Sequence, residues 1–282
     1  MKIYRIQNYK EYLSHTEQME AEYNCYQDFQ GQLKQEQKSD FSVRGFSYTA
    51  KKEVDFHVNY TGILSEDINW RETVICPITH LNNRTRAGVQ IFDTELMPYP
   101  KDRIYLTEQI SPLYAYFSGQ NKYVVTGSEY LGNEVELGQM NGDGVRNEDL
   151  TRLTFRNEYF HKILSFDCFE HIEDYRKALS ECFRVLKSGG KLLFSVPFDR
   201  NAEMNSIRAR SNSDGLINHI LEPEYHGDPI NEGGCLCFYH FGWEILQDLK
   251  NVGFDHAYAV FVWSAVFGYL GGEQVFFVAS KK

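Results

Sequence analysis

The sequence predicts an α/β chain built on a doubly wound, mostly parallel sheet, preceded by an N-terminal extension of helix and small β structure. Three observations predict it. After residue 100, short apolar runs alternate with amphipathic stretches, the pattern of strands crossed by helices. One of those stretches, residues 175–186, keeps its apolar positions at Ala178, Leu179, Cys182, Phe183 and Leu186, one face at a period near 3.6. The last two apolar runs are joined by a Gly-rich turn with no helix between them, which argues one antiparallel edge.

The elements follow in order. Residues 1–40 are polar, with Tyr9, Leu13, Met19, Tyr23 and Tyr26 as a loose helical stripe, so one or two solvated helices are expected. Residues 41–97 hold short alternating runs such as 54–58 and read as a small β segment. Pro98-Tyr99-Pro100 is a boundary, giving an extension at 1–100 and an α/β domain at 101–282. Strands are expected at 104–106, 123–125, 163–166, 191–196, 257–263 and 274–279. Helices are expected at 111–119, at 175–186 between an Asp174 cap and Ser188-Gly189-Gly190, and at 242–249. The connection 199–241 has no evident secondary structure and reads as a lid or binding loop.

Composition limits the function. The chain has 282 residues and 32.9 kDa, 42% of it apolar and 24% charged, which excludes a disordered tail, a collagen and a coiled coil. A net charge of −10 argues against nucleic acid as a partner. Six cysteines are too few for a disulfide scaffold, so reduced thiols in a cytoplasmic protein are expected. The first residues lack an apolar signal core, and no window reaches the roughly eighteen apolar residues of a membrane span, so no membrane partner is expected.

The stretch Ser165-Phe166-Asp167-Cys168-Phe169-Glu170-His171-Ile172, continued by Arg184-Val185-Leu186-Lys187-Ser188-Gly189-Gly190 and the apolar run to Phe198, closely resembles class I S-adenosylmethionine-dependent methyltransferases of the type 11 group. The resemblance covers roughly residues 101–282 and implies a seven-stranded Rossmann-like sheet with S-adenosyl-L-methionine as cofactor. In such a sheet ligands bind at the carboxyl ends of the strands. Glu108 closes the first strand, Glu129 the second, and Asp149, followed by Leu150, precedes the fourth. The resemblance places Glu129 on the ribose hydroxyls, Asp149 on the adenine amino group, and Phe166 and Asp167 beside the methionine part. Each acid alone would read as a solvated strand end or a helix cap, whereas three at corresponding strand ends favour cofactor binding.

The sequence departs from the family in two places. The turn after the first strand, Leu106-Thr107-Glu108-Gln109-Ile110-Ser111-Pro112, has no glycine. Either Glu108 and Gln109 contact the cofactor by side chains, or cofactor binding is weakened or lost. The segment 76–87 and the run 223–229 resemble a narrower bacterial subgroup. That likeness implies a zinc ribbon whose four slots here are Ser47, Ala50, Cys76 and Thr79, a set with one thiolate, so no metal is expected.

Three residues are candidates for chemistry on the methyl acceptor. His171 stands in the Glu-His position after a strand, and His226 lies in the long connection with Asp228 two residues on. A neutral imidazole suits removal of a proton from an oxygen acceptor. Asp228 would orient His226. The expected function is methyl transfer to a small-molecule or glycan-like acceptor. The competing reading is a non-catalytic binding protein on the same fold. A dehydrogenase is disfavoured, because no G-x-G-x-x-G follows a strand.

Overall fold

A computed structural model describes residues 1–35, 39–59, 68–227, 230–231 and 233–282, Gln35 by its backbone alone. The elements run β1 (Lys2–Ile6), α1 (Tyr9–Gln35), β2 (Phe41–Ser47), β3 (Lys52–Val58), α2 (Asn83–Ile91), β4 (Arg103–Leu106), α3 (Pro112–Gly119), β5 (Val124–Gly127) and β6 (Phe160–Phe166). They continue with a 3-10 turn (Phe169–His171), α4 (Tyr175–Val185) and β7 (Leu186–Ser195). Six short strands follow: β8 (Ser206–Ile207), β9 (Ala209–Ser211), β10 (Ile217–His219), β11 (Tyr225–His226), β12 (Cys235–Leu236) and β13 (Tyr239–His240). The chain closes with α5 (Glu244–Val252), β14 (His256–Ser264) and β15 (Tyr269–Ser280).

Seven strands form one sheet in the order β1-β14-β15-β7-β6-β4-β5. β5, β4, β6 and β7 are mutually parallel, β15 is antiparallel to β7, and β1 is antiparallel to β14. The doubly wound α/β expectation therefore holds, with a source for the seventh strand that the sequence reading did not anticipate. It is β1, from residues expected to be helical or solvated. Just past β5, Glu129 and Asn147 form an isolated parallel bridge.

By compactness the chain divides into Met1–Met97 with Ala259–Phe276, and Pro98–Tyr258 with Phe277–Lys282. The expected boundary at residue 100 lies beside the first division point, while the segment 259–276 groups with the N-terminal residues. In that first unit, β2 and β3 pair over seven residues and bury Val43, Val54, Phe56 and Val58 with Val74 and Cys76. Three of the four ribbon slots, Ser47, Cys76 and Thr79, are linked with Thr49, and the Ala50 N–H donates to Ser47 Oγ at 3.2 Å. Ser47 Oγ lies 3.3 Å from Cys76 Sγ, and Thr49 Oγ1 lies 3.1 Å from both Ser47 Oγ and Thr79 Oγ1. Arg86 is fully buried, its guanidinium 3.9 Å from the Phe56 ring centre and donating to the carbonyls of Val74, Phe267 and Gly268.

The second unit positions the site. β6 is buried along nearly its whole length, as a central parallel strand requires. α4 starts where Asp174 accepts the Lys177 N–H, and buries Tyr175, Ala178, Leu179, Cys182 and Val185. Gly189 and Gly190 lie within β7 rather than in a loop after the helix, and exchange main-chain bonds with Lys281. The connection 199–241 is not structureless. It folds as three two-stranded ladders, β8 with β13, β9 with β10 and β11 with β12. Among the described residues, no helix is long and apolar enough to cross a membrane.

Candidate active site

The chain steps from β4 to β5 on one side and returns across β4 to β6 on the other. That makes the carboxyl ends of β4 and β6 the switch point where such sheets bind ligands. Thr107, just past β4, donates its N–H to Leu164 O at 3.1 Å and its hydroxyl to Ser165 Oγ at 2.9 Å, closing the floor of this crevice.

The turn after β4 replaces glycine with a side-chain anchor. Glu129 Oε1 accepts the main-chain N–H groups of Gln109 at 2.6 Å and Ile110 at 2.7 Å. Gln109 accepts the Arg146 N–H and donates to Gly144 O, both at 2.9 Å. Glu108 lies against β5 by its carbonyl oxygen, 2.8 Å from where a Cβ on Gly127 would stand. Asp149 serves its own turn: Oδ1 accepts the N–H and hydroxyl of Thr151, and Oδ2 accepts from Arg152 at 3.1 Å. Partial burial pushes its carboxyl up, but these donors outweigh it and hold the group below its ordinary value. Leu150 is buried beside it. Phe166, the last residue of β6, is buried, and Asp167 just past it adopts a left-handed φ of 49°, its Oδ1 accepting the Ser195 hydroxyl at 2.8 Å. The structure thus brings Glu108, Gln109 and Glu129 together and sets Asp167 at the neighbouring strand end. Asp149 is turned into its own loop. A cavity of about 440 Å³ opens beside β5, lined by Gln109, Tyr114, Thr126, Met140, Arg146 and Tyr159 among others.

The histidines meet at the end of β6. The 3-10 turn carries Glu170 and His171, and the Glu170 carbonyl accepts the Phe238 N–H at 2.7 Å, so residues leading into β13 are fastened over it. His171 Nδ1 lies 2.8 Å from Leu236 O. A carbonyl only accepts, so Nδ1 carries a proton, and in the neutral ring Nε2 then carries the lone pair. The β11–β12 pairing brings His226 opposite, with the two imidazole rings 4.9 Å apart and nearly perpendicular. His226 Nε2 is 2.9 Å from Glu224 Oε1, and its Nδ1 is 3.7 Å from Glu170 Oε1. Glu224 is held in turn by His240 and Arg208, each at 3.0 Å. Burial without hydrogen bonds raises the Glu170 carboxyl above the usual range, against the pull of His226. The Glu170 and Glu224 carboxylates raise the His226 imidazole, against its partial burial.

Glu170 and Glu224 were not among the expected site residues. Both stood in the motifs that carried the resemblance, but only the fold shows that one is fully buried and that the other orients His226. Asp228 lies outside the described residues.

Residues 110–194 match the family model described as a methyltransferase domain. That segment, about a third of the chain, is similar to class I, type 11-like S-adenosylmethionine-dependent methyltransferase domains. None of the curated proteins is similar to the sequence. Among solved structures, the chain is similar to Haemonchus contortus phosphoethanolamine N-methyltransferase 2 in complex with S-adenosyl-L-methionine, at 15% identity and a TM-score of 0.41. The match covers 69% of this chain and 52% of that one, so this chain spans about half of that relative. It is also similar to the 1,6-didemethyltoxoflavin-N1-methyltransferase of Burkholderia thailandensis, at 17% identity and a TM-score of 0.41, over 70% of this chain and 78% of that one. A Mesorhizobium loti S-adenosylmethionine-dependent methyltransferase matches at 13% identity and a TM-score of 0.39, over 67% of this chain and 96% of that one.

Proposed function

We propose that this protein transfers a methyl group from S-adenosylmethionine to the hydroxyl of a small-molecule or glycan-like acceptor. The observation that carries the reading is the His171–Glu170–His226 cluster at the carboxyl end of β6, beside the turn after β4. The residues at this edge fit a nucleoside-bearing methyl donor in kind and place. The turn 107–111 anchored by Glu129, together with Phe166 and Asp167, would hold it, and the cavity adjoining Gln109 gives its nucleoside end room. When bound, the donor supplies an electrophilic methyl group, so the protein's task is to orient the acceptor and take its proton.

His171 is suited to that proton. Its Nε2 lone pair faces into the cluster, and the buried Glu170 carboxylate 3.8 Å away offsets the charge that protonation would create. His226, held between Glu170 and Glu224, would fix the orientation of the acceptor beside His171. The absent glycine favours the competing reading of a binding protein without catalysis. The replacement of that glycine by an anchored turn, at the right edge of the sheet, favours the enzyme.

Calorimetric titration of the full chain with S-adenosylhomocysteine is the test. Saturable binding is expected, and no detectable binding at millimolar ligand would overturn the reading. In a radiolabel assay with an acceptor found by screening hydroxyl compounds, His226→Ala is expected to lower turnover about 100-fold or more. Its S-adenosylhomocysteine affinity should stay within about twofold of wild type, a change of ~0.4 kcal/mol or less, because His226 is placed on the acceptor side and not among the residues proposed to hold the donor.

A further inference from the structure

We propose that Glu170, His171 and His226 form a binding site for a divalent transition-metal cation of the zinc type. Its use on the acceptor oxygen rests on the function proposed above; the binding itself does not.

The geometry is that of a ligand set. One ligand-capable atom from each residue lies within 4.8 Å of the other two. Glu170 Oε1 is 3.8 Å from His171 Nε2 and 3.7 Å from His226 Nδ1. These separations exceed the ordinary N–H···O range of about 2.7–3.2 Å, so the three groups do not satisfy one another by hydrogen bonds. They come near the spacing of about 3.3–3.4 Å that donor atoms take around a tetrahedral ion with bonds of about 2.0–2.1 Å.

The surroundings point the same way. Glu170 is fully buried, and neither carboxylate oxygen has a hydrogen-bond partner. A carboxylate removed from water in that manner calls for a cation. Both imidazoles are turned by their far nitrogens: His171 Nδ1 by the Leu236 carbonyl, and His226 Nε2 by Glu224. Metal-binding histidines characteristically donate their other N–H to a carbonyl or carboxylate, which fixes the ring and the lone pair. Glu224 is itself braced by Arg208 and His240. Two histidines and one glutamate are a known catalytic zinc set, with the fourth position left for water or substrate. An acceptor hydroxyl bound there would have its acidity raised by the ion.

A second group, Glu224, His226 and Cys237, shares His226. It is the weaker candidate. Glu224 is engaged with Arg208 and His240, and the Cys237 thiol donates to Tyr239 O.

The test uses the full chain, stripped with a chelator and titrated with Co²⁺ by visible absorption, then with Zn²⁺ in competition. One cobalt per chain with tetrahedral ligand-field bands is expected. His171→Ala and Glu170→Gln should lose it, Glu224→Gln should weaken it about 10–100-fold, and Cys76→Ser and Cys237→Ser should leave it unchanged. S-adenosylhomocysteine affinity and melting temperature are measured on the same samples, and only variants that melt as cooperatively as wild type are scored. A wild-type chain that binds S-adenosylhomocysteine but takes up no cobalt overturns the metal site and leaves the function standing. A chain that takes up cobalt but not S-adenosylhomocysteine does the reverse. Cobalt binding unchanged by both His171→Ala and Glu170→Gln, or abolished by Cys76→Ser, overturns the site as assigned.

Discussion

Glu129 is the anchor of the glycine-free turn, and replacing it tests whether that anchor does what a Gly-rich turn would do. Its Oε1 receives two main-chain donors, Gln109 N at 2.6 Å and Ile110 N at 2.7 Å. Hydrogen bonds to a charged group contribute ~1.5–3 kcal/mol each when the site is shielded from water. Here shielding is incomplete: Ile110 is 45% exposed, so water can replace the lost acceptor. About 1 kcal/mol per bond is then the fair figure, and Glu129→Ala should destabilise the protein by about 2 kcal/mol. The freed turn must be ordered again whenever ligand binds. Affinity for S-adenosylhomocysteine should therefore fall about tenfold or more, which corresponds to ~1.4 kcal/mol. Glu129→Gln keeps one acceptor oxygen but no charge and should fall between. Calorimetric titration and thermal unfolding on the three proteins are the assays. A Glu129→Ala protein with wild-type melting and affinity within about twofold would refute the view that this carboxylate organises the site.

Two further outcomes concern stability. Tyr175 is buried, donates to Asp248 Oδ2 at 2.6 Å and accepts from Asn205 at 2.8 Å; Tyr175→Phe keeps the ring packing and removes both bonds, so the denaturant midpoint should drop by the equivalent of ~1–3 kcal/mol. The His15 ring lies 4.4 Å from that of Tyr4, tilted by 51°, and burial, opposed by Glu22, lowers its folded pKa below the ordinary value of about 6.5. The neutral form is thus favoured by folding, and its contribution is present above about pH 6.5 and lost as pH falls through the lower folded value. His15→Phe should flatten this acid limb in thermal melts between about pH 7 and 5, and an unchanged slope would show that His15 does not contribute to it.

What the sequence revealed depended on how local the signal was. α4 and the second half of β6 were legible because their apolar residues lie close along the chain: a 3.6-residue stripe in one, Ile163, Leu164 and Phe166 in the other. β1 was not legible. Its five residues bury only Ile6, and its strand character comes from pairing with β14 some 250 residues away, Lys2 opposite Trp263 and Ile6 opposite Ala259. The six strands between 206 and 240 are two or three residues each, too short for any period to show. They are fixed by distant partners instead, such as Glu173 accepting the Ser211 N–H at 2.7 Å and the Tyr239 hydroxyl donating to the Glu173 carbonyl at 2.8 Å.

The site divides in the same way. Residue types and strand ends pointed to Glu129, Asp167, His171 and His226 as candidates, because acids after parallel strands and histidines near them follow from topology alone. Which lone pair each group offers does not follow from topology. Asp149 stands after the right segment, yet Thr151 and Arg152, its own near neighbours, occupy both oxygens. Glu170 stands beside His171 in the chain, and its character comes from what lies over it. The segment leading into β13 binds its carbonyl through Phe238, β11 brings His226 to 3.7 Å, and no hydrogen-bond donor reaches its carboxylate. A buried carboxylate with two oriented imidazoles at its edge must hold either a proton or a cation, because leaving the charge uncompensated would cost several kcal/mol. With the proton, the base proposed to take hydrogen from an acceptor is His171 Nε2, whose charge Glu170 then offsets; with a metal cation, the same acceptor oxygen would be polarised instead. In either state the cluster presents its chemistry toward the end of β6, beside the turn that Glu129 anchors. The two halves of the proposed site therefore stand on adjacent strand ends, and His226 can be altered without disturbing the two bonds by which Glu129 holds the turn after β4.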